Sequence, residues 1–114
     1  MEEVYYEFPE IISYVDSEQS KLFLEIAMLN IESENINLMM NEQGFYLSAP
    51  ADDVHYVTTF AFPSPVKPSE AKAHYIDGYL KVEVPFKGPL TDYVRVPLEK
   101  EEEYNEEEEA APAE

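Results

Sequence analysis

Along residues 21–28 every second position is apolar in one register: Leu22, Leu24, Ile26 and Met28 fall on one face, Phe23, Glu25 and Ala27 on the other. A repeat of two is the signature of an extended strand, whose side chains alternate between faces; an amphipathic helix needs apolar residues three and four apart. The pattern returns in residues 79–84, with Leu80, Val82 and Val84 inward and Tyr79, Lys81 and Glu83 outward. A chain of short half-apolar strands buries its apolar faces by laying one sheet on another, and this constrains the fold most.

The rest of the chain supplies the other strands. Residues 36–40 and 45–49 flank Asn41-Glu42-Gln43-Gly44, which has hairpin-turn composition. Residues 54–62 form a long segment rich in β-branched and aromatic side chains, residues 11–16 an opening strand, and residues 72–76 a short one before Asp77-Gly78. An Asp-Gly pair between apolar runs is a strong hairpin signal, because both residues accept the left-handed backbone of a tight turn. Helix is scarce. Residues 31–35 and 67–71 offer one turn each, the second with a proline near its start. The sum is about seven short strands, which predicts an all-β, immunoglobulin-like sandwich of two antiparallel sheets.

Length and charge narrow the function. The 114 residues allow one domain, and the formal net charge is −18. Residues 99–114 hold nine glutamates and one lysine, so the body is acidic as well, with sixteen acids against six bases. Such a surface repels phosphate backbones and anionic lipid headgroups, so neither nucleic acid nor membrane is an expected partner. High charge also keeps a protein in solution while it exposes apolar surface. No apolar run approaches the ~18 residues of a membrane span, and the acidic start lacks the basic region of a signal peptide. With no cysteine there is no disulfide and no thiolate chemistry. A cytoplasmic protein is expected.

A search for catalytic chemistry finds none. His55 and His74 each fall in a strand pattern and read as surface residues. Glycine occurs only at 44, 78 and 88, which rules out a glycine-rich phosphate loop, and no HExxH spacing or serine elbow exists. Asp52-Asp53 reads as a solvated loop, and the glutamate runs as an ion atmosphere without a rigid cage. No enzyme activity, cofactor or metal is expected. Tyr5, Tyr6, Phe8 and Tyr14 crowd the N-terminal part and read as a cover for the sandwich end, with an exposed sticky patch as the alternative.

Ala73-His74-Tyr75-Ile76-Asp77-Gly78-Tyr79-Leu80-Lys81-Val82-Glu83-Val84-Pro85 resembles the signature of the small heat-shock protein (α-crystallin) family, A-x-x-x-n-G-v-L-x-v-x-v-P. Phe60-Ala61-Phe62-Pro63 stands where that family has F-x-L-P, and the upstream strands follow in the family's order, so the resemblance covers about residues 11–85. It implies a structural role for Ala73, Gly78, Leu80, Val82, Val84 and Pro85. Val94-Arg95-Val96 resembles the family's I-x-I/V segment, which adds a strand to the groove between the sheets of a neighbour; Val94 and Val96 would fill its pockets. The implied layout is a short arm (1–10), an α-crystallin-like sandwich (11–86), an extension with V-x-V (87–98) and a disordered acidic tail (99–114).

Three departures modify that picture. Leu29-Asn30-Ile31 replaces the family's Pro-Gly; only Pro50-Ala51-Asp52-Asp53 stands where prokaryotic members carry a long strand-swapping loop; and the arm is short. A monomer or small homo-oligomer is therefore expected rather than a large cage. The chain is similar in these respects to CS-domain co-chaperones and to α-crystallin-like domains associated with targeting ATPases of the arsenite-transporter type. The resemblance implies an ATP-independent holdase for unfolded or partly folded clients. The alternatives are an adaptor for one dedicated partner, such as an ATPase chaperone, or a structural subunit of an assembly.

Overall fold

The computed structural model describes residues 4–89 and 94–100. Among them the chain forms strands β1 (Tyr5–Glu7), β2 (Glu10–Asp16), β3 (Lys21–Ala27), β4 (Asn37–Met40), β5 (Gly44–Pro50), β6 (Val54–Ala61), β7 (Lys72–Ile76) and β8 (Tyr79–Pro85). Single 3-10 turns, Ser33–Asn35 and Pro68–Glu70, sit where the sequence offered one helical turn each. A first sheet has the order β1-β6-β5-β4 and a second β2-β3-β8-β7. The all-β sandwich expected from the alternation is present. Pairing is antiparallel throughout except between β1 and β6, which run parallel.

The period-two faces become the core. Leu22, Leu24, Ile26 and Met28 stand beside Leu80, Val82 and Val84, all buried, because β3 and β8 pair Leu22 with Val84, Leu24 with Val82 and Ile26 with Leu80. Phe45, Leu47 and Ala49 of β5 close on them from the first sheet. Each large apolar side chain removed from water contributes about 1.5–3 kcal/mol, which makes this shared layer the main source of stability. No polar or charged residue is buried among the described residues.

Turns hold the register. Asp77 and Gly78 have φ of 54° and 84°, and Ile76 pairs directly with Tyr79. Two left-handed central residues make this a type I′ turn, whose twist matches that of the strands it joins. The β5–β6 connection is equally short: Pro50 pairs with His55, and the Ala51 N–H donates to the Val54 carbonyl at 2.8 Å. There is no room in it for a swapping strand. Asn30 has φ of 60°. Asparagine is one of the few residues other than glycine that tolerates this conformation, so the chain bends there without the family's Pro-Gly.

Three features are absent from the sequence reading. β1 lies within the first ten residues and is held to β6 by backbone pairing. Val66 and Phe86 are both core residues, joined by an isolated bridge between the sheets' connections. The crossover around Val66 is pinned on both sides, by Val66 N–H to the Glu42 carbonyl at 3.1 Å and Lys67 N–H to the Pro85 carbonyl at 2.9 Å. Tyr5, Tyr6, Phe8 and Tyr14 do not cover the sandwich end; all four are exposed, Phe8 to 83%. Tyr6 lies on the His55 ring and Tyr14 stacks on Phe23 at 5.2 Å.

Candidate binding groove

β4 and β7 are edge strands of opposite sheets, and they border one opening of the sandwich. Ile36 and Leu38 stand on one bank of the groove between them, Ala73 and Tyr75 on the other, with Leu80 in the floor; its volume is about 340 Å³. Ser33 and His74 supply the polar rim. The alternation explains the lining. Leu38 pairs with core residue Leu47, while Ala73 pairs with Val82 and Tyr75 with Leu80, so the inward side chains of the last strand on each sheet have no further strand to cover them. Tyr75 fixes one end. Its hydroxyl donates to the Met28 carbonyl at 2.5 Å and accepts the Ile31 N–H at 3.5 Å, tying β7 to the β3–β4 crossover.

Chemically, the groove offers apolar pockets flanked by the outer edge of a strand on each bank. Such an arrangement takes an extended peptide: main-chain groups pair with a strand edge and alternate side chains enter pockets. Its apolar lining sits in an acidic molecule whose charge opposes precipitation.

The residues singled out in the sequence fall at distinct places. Gly78 forms the turn, Leu80, Val82 and Val84 are core, Pro85 ends β8 opposite Lys21, and Ala73 lines the groove. Val94 and Val96 are 84% and 72% exposed and belong to no strand. The tail beyond residue 100 lies outside the described residues. His55 bonds through Nε2 to Ser48 Oγ at 2.9 Å beneath Tyr6, and no carboxylate bonds to its ring among the described residues. That pair sits on the outer face of the first sheet. No cluster of three metal-ligating side chains occurs among the described residues, and none of their helices is long and apolar enough to cross a membrane.

The two outer faces of the sandwich differ. On the second sheet Lys81 stands opposite Glu25 and Lys72 opposite Glu83, and Lys21 Nζ lies 3.1 Å from Glu83 Oε2. On the first sheet the outward rows read Met39–Tyr46–Thr59, Asn37–Ser48–Val57 and Pro50–His55–Tyr6. None of these is Asp, Glu, Lys or Arg.

Comparison with solved structures finds this arrangement of strands elsewhere. Heat shock protein 16.0 from Schizosaccharomyces pombe superposes with a TM-score of 0.64 at 10% identity, over 82% of this chain and 99% of that one. The fold is that of the small heat-shock proteins. Two mutants of hsp14.1 from Sulfolobus solfataricus P2 share the same α-crystallin-type sandwich. The Del-C4 mutant matches with a TM-score of 0.62 at 16% identity, over 73% of this chain and 79% of that one. A point mutant of the same protein gives 0.60 at 16%, over 80% and 78%. No protein-family model and no curated protein matches the sequence.

Proposed function

We propose that the chain is an ATP-independent holdase of the small heat-shock type, binding extended apolar segments of unfolded or partly folded proteins in the groove between β4 and β7. The observation that carries this is the groove itself, apolar within and bordered by an edge strand on each bank. The fold shared with heat-shock proteins supports the reading. Val94 and Val96, exposed in the extension, are the segment with which a neighbouring copy would compete with clients for the groove.

A light-scattering assay with a heat-labile client tests it. The unmodified chain at a stoichiometric ratio suppresses aggregation. Ala73→Glu, an exposed groove position that places a charge among the apolar pockets, removes most of that suppression without changing the melting curve. Full suppression by Ala73→Glu would move client binding elsewhere on the molecule.

A second reading, an adaptor for one dedicated partner such as an ATPase chaperone, draws on the tight β5–β6 connection, which offers no strand for exchange between subunits. A pull-down from native lysate separates the two: one dominant protein favours the adaptor, a broad set of clients the holdase.

A further inference from the structure

The outer face of the first sheet asks for an explanation that neither folding nor the groove supplies. In a chain with 28% charged residues and a net charge of −18, a four-stranded face carries no Asp, Glu, Lys or Arg. Its side chains are not withdrawn from water. Tyr6 is 69% exposed, Met39 64% and Tyr46 43%, and Thr59 is exposed beside them. Tyrosine and methionine are enriched in interfaces, and loss of charge from the centre is what sets an interface core apart from ordinary surface.

The absence of both signs identifies the partner. A basic partner would be served by carboxylates and an acidic one by Lys or Arg, and these rows hold neither. An uncharged face suits an equally uncharged one, because neither side then brings an unpaired charge into a desolvated contact. The matching face that accompanies this one in any solution of the protein is that of a second copy. We propose that two copies dock face to face through the uncharged outer face of the first sheet, about a two-fold axis that sets the Met39–Tyr46–Thr59 row of each against the other.

The size of the face sets the strength. Four strands about 4.8 Å apart and rows spanning about five residues give a patch of roughly 20 by 17 Å. That is below the ~800 Å² per partner of stable complexes, so the dimer forms with rising concentration. Salt has a defined sign. Raising it from about 0.15 M to 1 M shortens the screening length from ~8 to ~3 Å, which weakens the repulsion between two −18 bodies and leaves an apolar contact intact.

The test is sedimentation of the full chain from about 10 μM to about 1 mM at both salt concentrations, ranges chosen for a contact of this size. The expected mass rises from 13.2 kDa towards twice that value, at lower concentration in high salt. A mass of 13.2 kDa throughout, or association that salt weakens, overturns the proposal. Met39→Glu with Tyr46→Glu should weaken association at least ~10-fold, since each adds like charge to both copies. Ile12→Glu on the second sheet should leave it unchanged, and Val94→Glu with Val96→Glu, which removes any contact made through the groove, should leave the face-to-face contact in place. If the extension variant abolishes association and the face variant does not, the contact runs through the groove and the proposal fails, whatever the outcome of the aggregation assay. In the unmodified chain, concentration-dependent NMR shifts must cluster at Met39, Tyr46, Val57 and Thr59. Shifts clustered at Ile12 and Tyr14, or at Val94 and Val96, would place the contact elsewhere.

Discussion

On the second sheet Glu25 faces Lys81 and Lys72 faces Glu83; on the first, Tyr46 stands between Met39 and Thr59. Inside, the two sheets follow one rule, with alternate apolar side chains meeting in a shared core. Outside, the second sheet has the mixed-sign surface of a protein that faces water, and the first has the composition of an interface. The interior pattern answers to folding, which needs only apolar area in the right register. The exterior is free of that demand, so its chemistry reports what the face meets.

The most disruptive way to separate the sheets is through their glycines. A Cβ on Gly44, in β5 of the first sheet, would overlap the Phe60 carbonyl oxygen and crowd Ala61 Cα at 3.2 Å. Backbone cannot step aside as a side chain can, so Gly44→Ala should cost more than about 3 kcal/mol in a denaturant titration. Gly78→Ala, in the second sheet's turn, meets only the exposed tip of Leu29, and its cost is that of a left-handed backbone, about 1–2 kcal/mol. Equal costs would mean that the first sheet yields at β5.

A subtler change transplants the surface. Tyr46→Lys with Thr59→Glu puts a facing ion pair on the first sheet in the manner of Lys81 and Glu25. Exposed pairs contribute about 0.2–1 kcal/mol, so melting should move little; Lys21→Ala, which breaks the half-buried pair with Glu83, should lower it slightly more. A large loss on the first sheet alone would show that its neutrality serves folding rather than contact.

The smallest effect lies at the β2–β3 turn of the second sheet. The Gln19 main-chain N–H, then its side-chain amide, hold the Asp16 carboxyl below the usual carboxylate range. A depressed value in the folded state adds stability above the unfolded value of about 3.9, and that stability disappears as pH falls through the folded value. The melting temperatures of Asp16→Ala and the unmodified chain should therefore differ near neutrality and converge in acid.

The legible parts of this fold are those written in periodicity. β3 and β8 announce their inward residues directly, and Asp77-Gly78 announces its turn, because each signal is local. β1 leaves no such trace: three residues, all exposed, are held by main-chain bonds to β6. Val66 and Phe86 are single apolar residues in proline-rich connections, buried because the crossover is pinned to both sheets. The groove was readable only in pieces. Leu38 and Tyr75 read as strand residues, but that they share a cleft follows from which strands end up at the edges. The neutral face is likewise invisible along the chain, since Met39, Tyr46 and Thr59 become neighbours only through pairing.

The strand order also fixes a timetable for synthesis. Every strand of the first sheet has been made once residue 61 is joined, whereas the second sheet needs β8, which ends at residue 85 and lies between β3 and β7. Chains are made from the N-terminus and contacts distant in sequence form late. A nascent chain therefore has only β3 of the facing sheet's central pair to set against Phe45, Leu47 and Ala49 until Leu80, Val82 and Val84 have been joined, so half of the shared core closes last.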